Sequence, residues 1–242
     1  MKVAERALIG MKIPGYFPTP ENLADEVVAK AELKPGMKVL EPSAGSGSLA
    51  EAIIRAEPGV DLKVIERNST LRDLLAAKGF SLVDHDFLEH HERYDAIIQN
   101  PPFEDNQDID HVRHAYGLLT PGGVMVSIMS NGPFFRNGRK ESEFRDWIDQ
   151  IGAIWEENPD GAFLKSSRPT GVRTVTVVAH APTAEPDFFP FKTVSTEPPD
   201  DDSTVKAGPL SLNRSDRSSA SYDNKRARRS PPPSRSKVAA RT

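Results

Sequence analysis

The fold of this chain is decided by one stretch of sequence, KVLEPSAGSG at residues 38–47. Its first four residues have the apolar character of a short buried β-strand. Gly45 and Gly47 then allow the backbone to turn sharply and to approach a ligand closely, because neither carries a Cβ. A helical pattern over residues 48–56 follows directly. A strand, a glycine-rich turn and a helix in this order are typical of a sheet that binds its ligand at the carboxyl edge.

Further apolar β-type runs alternate with helical patterns along residues 1–181. The other predicted strands are residues 62–66, 81–84, 96–99, 124–130, 153–156 and 173–180. The predicted helices between them are residues 69–78, 109–119 and 142–151, and a helix before the first strand should begin at Pro20 with Thr19 as its N-cap. Because parallel strands need crossover helices, this alternation predicts a doubly wound α/β fold with a mostly parallel sheet.

Composition excludes several classes of protein. The 242 residues include no Cys, so the chain has no disulfide framework, no thiolate nucleophile and no Cys-ligated metal. The longest apolar runs, such as residues 124–129, are far shorter than the roughly 18–20 residues that span a bilayer. The charged residues Glu5, Arg6 and Lys12 interrupt the first segment, which does not resemble a signal peptide. We expect a soluble, cytoplasmic protein with no membrane partner.

The composition changes after residue 181. Residues 182–242 are rich in Pro, Ser and charge, acidic up to about residue 203 and basic beyond it, and show no apolar period. Such a segment buries too little apolar surface to offset its ordering entropy, so we expect a disordered tail. Its basic part could bind nucleic-acid phosphates without reading sequence, or act only as a solubilising tail. Phe188, Phe189 and Phe191 could pack back onto the domain.

Three acidic residues follow three successive predicted strands: Glu41, Glu66 and Asp86. Glu66 lies 25 residues beyond Glu41, a suitable distance for a carboxylate that accepts hydrogen bonds from ribose hydroxyls. The third glycine of the dinucleotide fingerprint is replaced by Ala50, and the Gly-Lys-Ser/Thr end of a P-loop is absent. The pattern therefore indicates a ribose-containing ligand and argues against a P-loop.

The tetrapeptide Asn100-Pro101-Pro102-Phe103 follows the fourth predicted strand. The two prolines fix their backbone and donate no hydrogen bond, so they end the strand rigidly. Asn100 then offers a side-chain oxygen, Pro101 a carbonyl and Phe103 a flat apolar face. This combination is suited to gripping a planar group that carries an amine.

Three motifs together resemble a known family. Residues 16–20 (YFPTP), the glycine loop at 41–47 and the tetrapeptide at 100–103 occur in the order found in S-adenosylmethionine-dependent amino-group methyltransferases. The resemblance is specifically to adenine DNA methyltransferases of the gamma-type motif order, and it covers about residues 14–181. It implies a Rossmann-like methyltransferase fold of seven strands with the last one antiparallel, S-adenosylmethionine as the cofactor and DNA as the partner.

The same resemblance implies roles for individual residues. It assigns the methionine part of the cofactor to Phe17, Thr19, Glu41, Pro42, Ala44, Gly45 and Gly47. It assigns the cofactor ribose to Glu66 and the cofactor adenine to Asp86 and Phe87. It assigns the target to Asn100, Pro101, Pro102 and Phe103. Phe163, in Gly161-Ala162-Phe163, would stack on the extruded base, although the Arg168-Pro169 that follows departs from the family pattern.

The chemistry of an aryl amine suggests a mechanism. Its lone pair is delocalised into the ring, so the nitrogen is a poor nucleophile. We hypothesise that the Asn100 oxygen and the Pro101 carbonyl accept both amine hydrogens and aim the lone pair at the methyl carbon, so that positioning carries most of the catalysis. The base must leave its stack at a cost of about a few kcal/mol, which stacking on Phe103 and Phe163 would offset.

Recognition of the substrate is less clearly encoded. We expect low sequence selectivity, because no separate recognition domain is predicted within the chain. Aromatic and basic residues alternate in residues 132–140, which form either a nucleic-acid contact or an ordinary exposed loop: Phe134, Phe135, Arg136, Arg139 and Lys140. Five histidines are expected to be solvated and to bind no metal: His85, His90, His91, His111 and His114.

Other functions remain open at the level of sequence. Asn-Pro-Pro-aromatic tetrapeptides also occur in methyltransferases that act on RNA bases or on glutamine in proteins. A non-catalytic nucleic-acid-binding protein that kept the methyltransferase fold is an alternative of another class. A nicotinamide dehydrogenase would leave the tetrapeptide without a role.

Overall fold

Seven strands form one sheet in the computed structural model, counted over the residues that it describes, namely 13, 16–166 and 169–184. All of these lie within Met1–Lys192, one of the two units into which the chain divides. The strands are β1 (Lys38–Glu41), β2 (Asp61–Ile65), β3 (Ser81–Asp84), β4 (Tyr94–Gln99), β5 (Leu119–Ser130), β6 (Ile154–Glu157) and β7 (Thr174–His180).

The strand order is β3-β2-β1-β4-β5-β7-β6. The first five strands of that order are parallel to their neighbours, whereas β7 runs antiparallel to both β5 and β6. This arrangement confirms the predicted Rossmann-like methyltransferase fold. The chain leaves β1 toward one edge through β2 and β3 and then crosses back to β4. The junction of β1 and β4 is therefore the switch point, where a doubly wound sheet binds its ligand.

Helices cover both faces of the sheet. They are α1 (Glu21–Ala29), α2 (Ser48–Ala56), α3 (Ser69–Ala77), α4 (Gln107–Gly117), the single turn α5 (Gly132–Phe135) and α6 (Arg139–Gln150). Successive residues of β4 point to opposite faces, because side chains alternate along a strand. Ala96 and Ile98 thus pack with α1 and α2, while Ile97 packs with α4 and α6.

Two predicted boundaries were wrong. Pro20, and not Thr19, occupies the N-cap position of α1, because the Thr19 hydroxyl is used elsewhere. The fifth strand was predicted to begin at residue 124, but residues 119–123 also belong to β5 and include a bulge. Tyr94 pairs with Leu119 and Ala96 with Val124, so β5 advances five residues while β4 advances two.

Part of the sequence prediction lies outside the described residues. This applies to the predicted tail from residue 185 onward, including Phe188, Phe189 and Phe191.

Within the described ranges, no helix is long and apolar enough to cross a membrane. The edge strand β6 is exposed at all four of its residues.

Candidate active site

A cleft of about 580 Å³ opens at the carboxyl edge of the sheet, beside the junction of β1 and β4. Segments after β1, β2, β3 and β4 contribute to its wall, together with the segment before α1. Thirteen of the residues singled out from the sequence line it: Phe17, Thr19, Glu41, Pro42, Ala44, Gly45, Glu66, Asp86, Phe87, Asn100, Pro101, Pro102 and Phe103. Gly47 and Phe163 do not line this cleft.

The two glycines of the loop have different tasks. Gly45 lines the cleft with φ +54°, and a Cβ at this position would lie 3.0 Å from the Tyr16 ring. Gly47 has φ +91° at the N-cap of α2, and its N–H donates a 2.7 Å hydrogen bond to the Ala44 carbonyl. A Cβ on Gly47 would lie 3.0 Å from the Phe80 ring. Gly47 therefore shapes the loop and its packing.

Glu41 is a buried carboxylate at the end of β1. Its side chain is 2% exposed, and Oε2 has no hydrogen-bond partner among the described residues. Burial raises the pKa of Glu41 well above its usual range. A buried carboxylate is costly unless it is neutralised or paired with a cation. The site therefore fits a ligand with a positively charged group, such as the ammonium of S-adenosylmethionine.

Glu66 fixes the loop after β2 relative to the glycine loop. Its Oε2 accepts a 2.7 Å hydrogen bond from the Gly45 N–H, and its Oε1 accepts one of 2.7 Å from the Asn68 N–H. Arg72 donates to the Glu66 backbone carbonyl at 3.2 Å. Each carboxylate oxygen can accept a second hydrogen bond, as the predicted ribose contact requires.

Asp86 and Phe87 form the wall of the cleft after β3. Asp86 accepts a 3.1 Å hydrogen bond from the Leu88 N–H, which fixes the single 3₁₀ turn Phe87–Glu89. The buried Phe87 ring lies 5.5 Å from the His111 ring and 4.8 Å from the His114 ring. His111 lines the cleft, and burial lowers its pKa to about 4.

The prediction that all five histidines are solvated was wrong. His90 is buried, and its Nε2 lies 2.9 Å from the hydroxyl of Tyr94, the first residue of β4. His111 is partly buried against Phe87, whereas His85 and His91 are exposed. In the described part of the chain, no three His, Cys, Asp or Glu side chains form a group that could hold a metal ion.

The side-chain amide of Asn100 has hydrogen-bond partners for its NH₂ group but, among the described residues, none for its oxygen. Its Nδ2 donates hydrogen bonds of 3.1 Å to the Phe17 carbonyl and of 3.1 Å to Thr19 Oγ1. Its Oδ1 is buried and has no partner among residues 13, 16–166 and 169–184. A buried acceptor without a partner is unfavourable in the free protein. Asn100 is therefore ready to accept a hydrogen bond from a ligand.

The prediction for Phe163 was wrong. This side chain is 1% exposed and packs in the core cluster formed with α1 and α2. The 3₁₀ turn Ala162–Lys165 directs Phe163 inward and leaves Leu164 exposed. In this arrangement Phe163 presents no face to an extruded base. Phe103, which lines the cleft and is only partly buried, remains available.

The basic and aromatic stretch at residues 132–140 is helical over most of its length and does not line the cleft. The Phe134 ring is buried, and its centroid lies 4.6 Å from that of the Trp155 ring. Phe135 is 55% exposed, and its ring centroid lies 6.1 Å from that of Trp155. Arg139 and Lys140 form ion pairs with Glu143 and Asp110. Phe135 and the exposed Arg136 are thus the members best placed to contact a partner.

Sequence reasoning missed several residues of the cleft. Among those without a predicted role are Tyr16, Arg67, Asn68, Leu71, Gln107 and His111. Asn68 could have been predicted as the N-cap of α3, because Asn is favoured directly before a helix. In the structure its Oδ1 accepts a hydrogen bond from the Leu71 N–H. Gln107 and His111 lie on α4, and the packing of that helix against the 3₁₀ turn after β3, where Phe87 contacts His111, brings His111 to the cleft.

Comparison with known proteins agrees with this geometry. Residues 23–134 match the family model of the methyltransferase small domain. A curated relative, ribosomal RNA small subunit methyltransferase C from Shewanella halifaxensis, is 31% identical over 100 residues. That match covers 36% of this chain and 29% of the relative, so the chain spans under a third of the relative's length.

Two solved structures have the same fold. One is a modification subunit of a protein described as a type I restriction enzyme from Vibrio vulnificus, with a TM-score of 0.59, 15% identity, and coverage of 75% of this chain and 48% of that one. The other is a protein from Pyrococcus horikoshii described as an RNA methyltransferase, with a TM-score of 0.53, 20% identity, and coverage of 76% of this chain and 100% of that one.

The family match, the fold and the site geometry support an S-adenosylmethionine-dependent methyltransferase domain. Its cofactor is S-adenosylmethionine, in agreement with the buried carboxyl group of Glu41 and the close approach that Gly45 allows.

Proposed function

We propose that this protein transfers a methyl group to the exocyclic amine of adenine in DNA. The observation that carries the proposal is the state of Asn100, whose amide hydrogens are engaged while its buried Oδ1 has no partner in the described part of the chain. An acceptor held in this way is suited to a ligand that brings a hydrogen-bond donor. An exocyclic amine is such a donor.

At one end of the cleft, residues that follow strands β1, β2 and β3 would hold the cofactor. Glu41 and the glycine loop would hold the methionine part, Glu66 the ribose, and Asp86 with Phe87 the adenine. When bound, S-adenosylmethionine supplies a methyl group on a positively charged sulfur. The chain contributes two carboxylates, Glu41 and Glu66, and a backbone that can approach closely at Gly45.

The target end of the cleft would hold the amine. Asn100 Oδ1 and the Pro101 carbonyl would accept hydrogen bonds from its two N–H groups, which orients the nitrogen lone pair and moves the nitrogen toward tetrahedral geometry. As the new N–C bond forms, the C–S bond of the donor would break with its electron pair kept by sulfur, and the nitrogen would release one proton to solvent. The prolines at 101 and 102 keep these acceptors fixed, because their φ angles are constrained. Phe103 would stack on the extruded base. Orientation of this kind contributes a large part of the rate enhancement in reactions between two bound groups.

RNA adenine is the second candidate substrate. It is favoured by the match to a ribosomal RNA methyltransferase, whereas the motif order and the N-terminal motif that contacts Asn100 favour DNA adenine. Glutamine in a protein presents a similar amide group and remains a third substrate to test. A cytoplasmic location is part of this proposal, because nucleic-acid substrates are found there.

The experiment is incubation of the full chain with methyl-labelled S-adenosylmethionine and separate pools of DNA, RNA and protein, followed by nucleoside and amino-acid analysis. We expect label in N6-methyladenine from DNA. Asn100→Ala should lower transfer at least about a hundredfold, since removing one preorganised group commonly has an effect of this size. Calorimetry should show that the variant still binds the cofactor.

Other outcomes would redirect the proposal. Label in RNA adenosine or in protein glutamine would contradict DNA as the substrate while keeping the chemistry. Full transfer by a folded Asn100→Ala variant would contradict the role of Asn100. Cofactor binding without transfer to any pool would favour the non-catalytic nucleic-acid-binding protein.

A further inference from the structure

The side chain of Asn100 is held by a segment more than 80 residues earlier in the chain. Its two acceptors, the Phe17 carbonyl and Thr19 Oγ1, are separated from it by 83 and 81 residues in sequence. Thr19 is 6% exposed and directly precedes Pro20, the N-cap residue of α1. A hydroxyl buried at this point would be costly without a partner, and Asn100 supplies one.

The identity of the first acceptor fixes the direction of the amide. A backbone carbonyl can only accept hydrogen bonds, so the NH₂ group of Asn100, and not its oxygen, must face Phe17. Turning the amide by 180° would place two carbonyl oxygens against each other. The same NH₂ group then donates its second hydrogen to Thr19 Oγ1. With both hydrogens engaged, Oδ1 is directed away from the N-terminal segment.

We propose that Thr19 is a positioning residue for Asn100, and that together with the Phe17 carbonyl it presents Asn100 Oδ1 to the target amine. This inference rests on the proposed function, in which Asn100 contacts the target. It assigns Thr19 a role different from the cofactor contact that the sequence resemblance implies. Thr19 acts through Asn100 and needs no contact with the reacting atoms.

The consequence of losing Thr19 follows from the number of hydrogen bonds. In Thr19→Val the Phe17 carbonyl still holds one amide hydrogen, but the other has no acceptor at this position. The amide plane can then rotate about its terminal bond, whose torsional preference is broad. Oδ1 would spend less time in the direction that accepts the amine hydrogen. Thr19→Ser keeps the hydroxyl and should keep the orientation.

The first test needs no substrate. The side-chain NH₂ resonances of Asn100, assigned by their loss in Asn100→Ala, would be followed by nitrogen-15 NMR, and their hydrogen exchange would be measured in the full chain. We expect exchange about five- to tenfold faster in Thr19→Val, the change that corresponds to loss of one neutral hydrogen bond. Thr19→Ser should stay within about twofold of the unchanged protein. Equal exchange in all three proteins would overturn the inference.

The second test measures transfer to the substrate that the labelling experiment identifies. Thr19→Val should lower kcat about five- to tenfold. Its Kd for S-adenosylmethionine, measured by calorimetry, should stay within about twofold, and Thr19→Ser should restore kcat. A loss confined to cofactor affinity, or unchanged kcat in Thr19→Val while Asn100→Ala is inactive, would overturn the inference. If Asn100→Ala keeps full activity, the proposed function fails instead, and the exchange measurement alone decides whether Thr19 orients Asn100.

Discussion

The Glu66 carboxylate accepts a 2.7 Å hydrogen bond from the Gly45 N–H, and this contact joins the loops after β1 and β2 at the wall of the cleft. The second carboxylate oxygen accepts from the Asn68 N–H at the N-cap of α3. One side chain thus fixes two loops that contact the cofactor in the proposed function. The hydrogen bond from the Gly45 N–H to Glu66 therefore stabilises the conformation of the glycine loop, in addition to the conformational freedom of Gly45 and Gly47.

Glu66→Ala should therefore weaken cofactor binding more than the loss of a ribose contact alone would explain. It leaves the Gly45 and Asn68 N–H groups without their acceptor, and hydrogen bonds to charged groups contribute about 1.5–3 kcal/mol each. We expect at least about a tenfold rise in the Kd for S-adenosylmethionine, measured by calorimetry. Glu66→Gln keeps one acceptor oxygen and should be intermediate. Glu89→Ala is the matched control, because Glu89 is an exposed carboxylate that also lines the cleft. An equal rise in Kd for Glu66→Ala and Glu89→Ala would contradict the prediction.

Glu41→Gln should stabilise the cofactor-free protein at neutral pH and weaken cofactor binding. Burial raises the pKa of Glu41, so the folded state holds its proton at pH values where the unfolded state has lost it. Stability then falls as the pH rises from the ordinary carboxyl range through the raised pKa. Glutamine has no such dependence and should add about 1–3 kcal/mol at pH 7–8, with little difference near pH 4.

Urea denaturation of both proteins between pH 4 and pH 8 would test this, with Kd measurements at pH 7.5. A Glu41→Gln variant that is less stable than the unchanged protein across the whole range would contradict the idea that Glu41 is kept for the ligand at a cost to the fold.

Gly47→Ala should destabilise the fold more than Gly79→Ala. Both glycines have left-handed backbone, with φ of +91° and +85°, so both substitutions bring the same strain of about 1–2 kcal/mol. A Cβ at Gly79 would meet no atom within 4 Å, whereas one at Gly47 would lie 3.0 Å from the Phe80 ring and 3.1 Å from Leu75. Overpacking of this kind adds about 1–3 kcal/mol. Equal losses in urea denaturation would show that the contacts with Phe80 and Leu75 relax freely.

Arg136→Glu should weaken binding of nucleic acid if the exposed part of residues 132–140 contacts the phosphate backbone. Arg55→Glu is the matched control, because it makes the same charge change at the far end of α2, where Arg55 pairs with Asp25. We expect about a three- to tenfold rise in Kd and a smaller salt dependence for Arg136→Glu, measured by fluorescence anisotropy with a labelled adenine-containing duplex.

The neighbouring Phe135→Ala separates stacking from charge. Stacking of a base on an exposed aromatic ring contributes about 1–3 kcal/mol, so this variant should lose affinity for single-stranded more than for duplex substrate. Identical affinities for Arg136→Glu, Phe135→Ala and Arg55→Glu would show that nucleic acid binds elsewhere on the domain.

The local motifs predicted the fold and most of the cleft because each depends on short-range preferences. An apolar run followed by Gly45 and Gly47 encodes a strand and a tight turn, and the diproline at 101–102 encodes a rigid strand end. Since parallel strands present their carboxyl ends at one edge, placing these motifs after strands was enough to bring them together. The cofactor and the proposed chemistry were implied by the resemblance of these motifs to a known family.

Other features were decided by tertiary structure alone. The direction of the Asn100 amide depends on the Phe17 carbonyl and Thr19, whose distance in sequence leaves no local signal. The arrival of His111 in the cleft depends on how α4 packs, and the burial of Phe163 depends on the path of a 3₁₀ turn against the core. Backbone preferences act over a few residues, whereas side-chain partners are set by which segments the sheet order brings side by side. The sequence alone therefore specified most of the groups that meet at the cleft, and the folded chain added others such as His111, excluded Phe163 and decided which atoms are left to bind a ligand.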